Sequence, residues 1–210
     1  MSDGEPVDGR VARRRRNIDA VLDVVLEMFG EEAMFPTIEQ AATRSGLSLR
    51  SLYRYFADPG ELLEAAITRS NEHGRHLGRL PSIGQGPPAE RIDRFVDMRL
   101  RLYEGVGPVY RATVANAARL PRIRDELTTI RNDMRRQFER QFEQELTART
   151  PADRADVLAA GDLLTQLDSV DYLRRHRRLS VTETRSVLIS SLRALLPPSI
   201  DAFAGENDHI

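Results

Sequence analysis

The segment TIEQAATRSGLSLRSLYRYF, residues 37–56, constrains this chain more than any other. Thr37 and Gln40 fit a capping box, in which a hydroxyl and an amide satisfy the first free N–H groups reciprocally, so a helix is predicted from Ile38. Ala41 and Ala42 are small enough for a close helix crossing. Gly46 falls where that helix should stop, because glycine enters the left-handed region at little cost. Leu47 can plug the angle between two helices, and Ser48 is the expected N-cap of a second one, Leu49 to Phe56. That second helix carries Arg50, Ser51, Tyr53, Arg54 and Tyr55, and no acidic residue occurs between Gln40 and Ala57. Hydroxyl, phenol and guanidinium groups on a short helix anchored by Leu52 and Phe56 suit the major groove of DNA. Helical bundles also contain such turns, and an Arg/Tyr face can simply be solvated, so the flanking sequence has to decide.

Upstream, RRRRNIDAVLDVVLEMF (13–29) places Ile18, Val21, Leu22, Val25, Met28 and Phe29 at helical spacing, an apolar stripe for packing on the motif. Arg13, Arg14, Arg15 and Arg16 are expected at the start of this helix. Cations there oppose the helix dipole, and they make better sense beside a phosphate backbone than as a solvated basic tail. Downstream, Asp58, Pro59 and Glu61 read as N-cap, first helical position and first-turn acid of another helix, continued by Leu62, Leu63, Ala66 and Ile67.

Residues 13 to about 70 resemble the N-terminal domain of the tetracycline-repressor-like (TetR) family of regulators. Phe29, Thr37-Ile38, Ala42, Gly46-Leu47-Ser48, Leu52-Tyr53-Arg54-Tyr55-Phe56 and Leu62-Leu63 carry the resemblance by order and spacing. It implies an all-α homodimer with an N-terminal three-helix helix-turn-helix domain and a C-terminal helical domain for ligand binding and dimerisation. By position, Ser48, Arg50, Ser51 and Tyr53 would face the groove. Arg50 is the candidate for a base, since a guanidinium bridges guanine O6 and N7. Thr37, Tyr55 and Arg13–Arg16 would contact phosphates, with Arg44 and Arg54 as further candidates. Three departures stand out: Pro59 where the family often has a phosphate-contacting Lys, replacement of the usual Gly after the first helix in the region of Ala33, and Ala41 in place of a large aliphatic residue.

The expected organisation is an N-terminal arm (1–12), the DNA-binding domain (13–57), a helical domain (58–196, with 58–80 a connecting helix) and a tail (197–210). Pro81 to Glu90 reads as a Pro/Gly loop. Helices are predicted over about 89–104, broken by Gly105 and Gly107-Pro108, then over 109–120, 122–147, 151–175 and, after the capping box Ser180-x-x-Glu183, to about Leu196. No strand pattern or repeat is visible. Net charge is −1, so positive charge is local, as in a site-specific reader. All 31 basic residues are arginine, which can reflect coding bias, and the chain has no cysteine, excluding disulfides, thiol catalysis and thiolate-ligated zinc. The acidic, polar N-terminus resembles no signal peptide and no apolar run approaches the ~20 residues of a membrane span. A cytoplasmic protein is expected.

The resemblance further implies that the last two helices pair with their symmetry mates in a four-helix bundle. Leu163, Leu164, Leu167, Val187, Leu188, Leu192 and Leu195 are the candidate interface. A small-molecule pocket would be lined by Phe95, Met98, Tyr103, Tyr110, Phe138 and Leu167, residues that could equally be plain core. The partners expected are therefore operator DNA, a small ligand and a second copy, with no membrane. No cofactor or metal is expected: Glu72, His73 and His76 share a helix but lack a clear further ligand, and Arg174–Arg178 reads as a solvated helix end or as a contact for an acidic partner. No phosphate-binding glycine loop, nucleophile elbow or acid/base pairing supports an enzyme. The alternative reading is a helical ligand- or partner-binding dimer that has lost operator binding.

Overall fold

The computed structural model describes residues 5–32 and 36–197, all of whose regular elements are helical. They are α1 (Glu5–Glu32), α2 (Ile38–Ser45), α3 (Leu49–Tyr55), α4 (Pro59–Leu77), α5 (Pro88–Asn116), α6 (Pro121–Gln141), α7 (Glu143–Thr147), α8 (Pro151–Thr165), α9 (Leu167–Asp171), a single π turn (Tyr172–His176) and α10 (Val181–Leu195). The region of Ala33, residues 1–4 of the expected arm and residues 198–210 of the expected tail lie outside the described residues.

The chain forms two compact units. Where the sequence suggested a boundary at 57/58, the first unit runs through His73 and takes in Pro108–Leu127; the second comprises Gly74–Gly107 and residues from Thr128 onward. In the first unit the stripe Val21, Leu22, Val25 and Phe29 of α1 packs with Ile38, Ala41 and Ala42 of α2, Leu52 and Phe56, and Leu62, Leu63, Ala66 and Ile67 of α4. Val109, Ala112 and Ile123 complete that core. At about 25 cal/mol per Å² of apolar surface removed from water, such burial is the main force holding an eight-residue helix like α2, too short to persist alone.

In the second unit Phe95 meets Phe138 and Phe142 edge-on, with ring centroids 5.8 and 5.3 Å apart. Phe138 and Phe142 are 4.9 Å apart. Helix α8 approaches this cluster through Gly161, where no other residue fits: a Cβ would lie 2.0 Å from Phe138 Cζ. The loop before α5 is fixed by a buried arginine. Arg91 Nη1 donates to the Gly84 carbonyl (3.0 Å) and Gln144 Oε1 (2.7 Å), while its Nη2 pairs with the buried carboxylate of Glu145.

Four helix assignments differ from the sequence reading. Helix α1 begins at Glu5, so Arg13–Arg16 sit well inside it and the argument from an unfavourable dipole does not apply to them. Helix α5 runs unbroken through Gly105, Gly107 and Pro108. Proline removes one i→i−4 bond, and burial of Val106, Val109 and Tyr110 around it outweighs that loss. The predicted 122–147 helix breaks at Phe142, whose φ of −115° and ψ of 26° depart from helical values. The predicted 151–175 helix breaks at extended Gln166, whose side chain donates to the Arg131 carbonyl (3.3 Å) and to Asp162 Oδ1 (2.5 Å). Arg174 then turns back onto the Leu179 carbonyl (2.6 Å), while Arg175, His176, Arg177 and Arg178 remain exposed.

Candidate nucleic-acid interface

Local sequence builds α2 and α3 as expected. Gln40 N–H donates to Thr37 Oγ1 (3.2 Å) and Thr37 N–H to Gln40 Oε1 (2.8 Å), closing the capping box. Gly46 ends α2 at φ 71°, in the left-handed region. Ser48 caps α3 by accepting from Ser51 N–H (3.2 Å), and the two serine hydroxyls are 2.9 Å apart. Leu52 and Phe56 are buried and hold α3 down. Its outward side presents Ser48, Leu49, Arg50, Tyr53 and Arg54, with Tyr53 47% exposed and Ser51 half-buried. Among the described residues the side chains of Arg50 and Tyr53 have no hydrogen bond or ion pair.

Arg13, Arg14, Arg15 and Arg16 are all exposed on α1. The acidic residues that follow them are tied elsewhere: Arg69 of α4 donates to Asp19 (2.8 Å) and Asp23 (2.7 Å). Arg44 is not an unencumbered phosphate ligand, since its guanidinium bridges both Glu31 oxygens at 2.5 Å. That contact holds the Glu31 carboxyl below the usual glutamate range.

Tyr55 departs from its expected place. It is only 7% exposed, and its hydroxyl accepts from Asn17 Nδ2 (3.0 Å) and Arg54 Nη2 (3.2 Å). Those two hydrogen bonds lower the phenol pKa, because they favour the phenolate oxygen. The guanidiniums of Arg14 and Arg54 lie 5.7 and 5.2 Å from its ring centroid, a cation–π arrangement. Tyr55 therefore binds α1 to α3 and gathers two arginines, while its own hydroxyl is occupied. Sequence reasoning missed Asn17, whose polar side chain lies on the same helix as the apolar stripe and is recognisable only once Tyr55 is seen opposite it.

Helix α4 starts as expected, with Glu61 N–H on Asp58 Oδ1 (2.9 Å) and Glu61 Oε2 accepting from Ala57 N–H (2.5 Å). Pro59 thus takes a position that needs no N–H donor.

The six ligand candidates are all buried, Tyr110 in the first unit and Phe95, Met98, Tyr103, Phe138 and Leu167 in the second. Tyr103 donates its hydroxyl proton to Asp171 Oδ1 (2.8 Å). A cavity of about 380 Å³ lies against Ile83, Gly84, Gln85, Arg140, Glu143 and Gln144, and none of the six lines it. Of the dimer candidates, Leu167, Leu188 and Leu192 are interior to the protomer, because α8, α9 and α10 pack on one another. Leu163 (69%) and Val187 (40%) are exposed, and Leu164 and Leu195 are half-buried.

The structure resembles several solved proteins. A TetR-family transcriptional regulator from Streptomyces coelicolor superposes with a TM-score of 0.65 at 22% identity, over 86% of this chain and 80% of that one. The multidrug binding protein EbrR, solved with imidazole, gives 0.57 at 21% over 90% and 92%. A TetR-like transcriptional regulator from Rhodococcus sp. RHA1 gives 0.57 at 18% over 87% and 95%. No protein-family model and no curated protein sequence matches the chain. The fold is that of the TetR-family transcriptional regulators. No helix among the described residues is long and apolar enough to cross a membrane.

Proposed function

We propose that the chain is a sequence-specific DNA-binding transcriptional regulator, a repressor that a small ligand releases from a palindromic operator. The observation that carries this reading is α3 itself: a capped, core-anchored helix presenting exposed Arg50 and Tyr53 without acidic partners, with Arg14 of the exposed α1 cations drawn to its Tyr55. Arg50 would read a base, and Ser48, Ser51 and Tyr53 would complete the groove surface. Thr37 and the α1 arginines would fix register on phosphates, with Arg54 added from α3.

One such helix gives little affinity. A two-fold dimer would set two of them about 34 Å apart on one face of DNA. Exposed Leu163 on α8 and Val187 on α10, with Leu164 and Leu195 beside them, would supply the apolar contact between copies. A ligand bound in the helical domain would act by changing the separation of the recognition helices, for which a coupling of ~1–3 kcal/mol suffices.

The test is fluorescence anisotropy on upstream DNA and on scrambled duplex across a salt series. A specific regulator should prefer the former by ~10³-fold or more near physiological salt. Arg50→Ala with Tyr53→Ala should abolish that preference while circular dichroism and sedimentation remain unchanged, since both side chains are solvent-facing. Equal binding by the double variant, or none by a folded wild-type dimer on any upstream duplex, refutes the operator-reading role and favours a partner-binding dimer.

A further inference from the structure

The second unit buries a positive charge without a negative one. Arg99 on α5 is 1% exposed. Its Nη1 donates to Gln137 Oε1 (2.7 Å) and lies 3.8 Å from Met98 Sδ, and its Nη2 donates to the Met134 carbonyl (2.9 Å). All of these acceptors are neutral. The guanidinium carbon stands 4.6 Å from the centroid of Phe95, one of the three packed phenylalanines. No carboxylate comes within 4.0 Å of it among the described residues, and Nε is buried with no acceptor.

An unpartnered Nε is shared with Arg91 and Arg174; the missing carboxylate is what sets Arg99 apart from them. Arg91, equally buried, has Glu145 in direct contact. Arg174 reaches Glu104, and Arg185 reaches Asp97. Arg99 feels Asp162 only at longer range, while Asp162 itself accepts from Gln166. Desolvation pulls the Arg99 pKa down to about 9, so the group still carries its charge at neutral pH. Taking an ion out of water without a counter-ion costs several kcal/mol, and buried charges in folded proteins are ordinarily paired.

We propose that Arg99 is the counter-ion site for an apolar monocarboxylate ligand, whose carboxylate is received at Nε and whose body replaces packing among Phe95, Phe138 and Met98. This rests on the ligand-responsive reading of the helical unit and names the chemistry that unit recognises. A carboxylate there would provide both the missing acceptor and the missing negative charge. An arginine fork discriminates it from an alcohol or an amine of the same shape.

The experiment uses the full-length protein without DNA, so it is independent of operator binding. Thermal melting and isothermal titration are run with decanoate and benzoate, against decan-1-ol and benzyl alcohol, and decylamine and benzylamine. At least one carboxylate should raise the melting temperature and bind, and its alcohol and amine counterparts should do so about ten- to a hundredfold more weakly. Arg99→Met should melt at or above the wild-type temperature in the absence of ligand and lose the carboxylate preference. Arg99→Lys, which keeps the charge but not the fork, should retain the preference at reduced affinity, and it decides the matter should the methionine variant fail to fold. Failure of every carboxylate to bind overturns the proposal. So do equal responses to alcohols or amines, or undiminished carboxylate binding by the methionine variant.

Discussion

Gly161→Ala is the most direct probe of how the second unit is packed. Added methyls in mid-helix ordinarily help, since alanine is favoured over glycine by about 1 kcal/mol. Here the new Cβ would sit 2.0 Å from Phe138 Cζ, with the neighbouring ring carbons at 2.5 and 2.6 Å. Carbon atoms pack at roughly 3.5–4.0 Å, so ring or helix must shift by about 1.5 Å. The ring cannot shift without displacing its neighbours: Phe138 is fully buried, edge-on to Phe95 and 4.9 Å from Phe142. Overpacking of this kind costs about 1–3 kcal/mol and can exceed that range, enough to outweigh the propensity gain. The urea midpoint should therefore fall, and the melting temperature should drop by about 2–4 °C for each kcal/mol lost. Adding Phe138→Leu should make the alanine far less harmful, since the ring it strikes is gone, and the double-mutant cycle should show coupling of about 1 kcal/mol or more. A single Gly161→Ala variant as stable as wild type, or more so, would mean that α8 and α6 do not approach through this glycine.

Three other outcomes follow from the same reasoning. Tyr55→Phe keeps the ring that gathers Arg14 and Arg54 but removes the acceptor of Asn17; it should cost about 0.5–1.5 kcal/mol in urea denaturation and weaken operator and scrambled DNA alike, leaving their ratio unchanged. Glu145→Leu leaves Arg91 buried and unpaired, and should cost about 3–5 kcal/mol by denaturation, whereas adding Arg91→Met should restore much of it. Glu31 has its pKa depressed by Arg44, so its contribution is present above the carboxylate range and lost as the pH falls through it; a pH series of melting temperatures should show Glu31→Gln less stable than wild type at neutral pH, with the two converging in acid.

What the sequence revealed was what local chemistry decides. The Thr37–Gln40 and Ser180–Glu183 boxes, the Ser48 and Thr150 caps and the Gly46 stop each depend on residues three or four apart, and each forms in the structure. What it concealed was set from a distance. Pro108 and two glycines read as a break until their neighbours prove buried, and nothing local marks Gln166 as extended, because its partners Arg131 and Asp162 decide it. Tyr55 reads as a phosphate contact; in the structure Asn17, 38 residues away, and neighbouring Arg54 occupy its hydroxyl.

Arginine is where this limit matters most. All 31 basic residues are the same type, so composition cannot distinguish a base reader from a strut or a buried ion. The structure separates them by what stands opposite. Arg50 has nothing opposite it and faces solvent, Arg44 has Glu31, Arg69 has Asp19 and Asp23, and Arg91 has Glu145. Water can screen Arg50 at little cost, so its lack of a partner is compatible with stability and leaves it available to DNA. Arg99 is shut off from bulk solvent, and the lack of a negative partner there is a standing destabilisation. A neutral residue of similar volume would pack between Phe95 and Gln137 without that cost. The charge is thus best explained by something that arrives with the opposite sign, which makes the stability of ligand-free Arg99→Met the measurement that separates a recognition residue from a structural one.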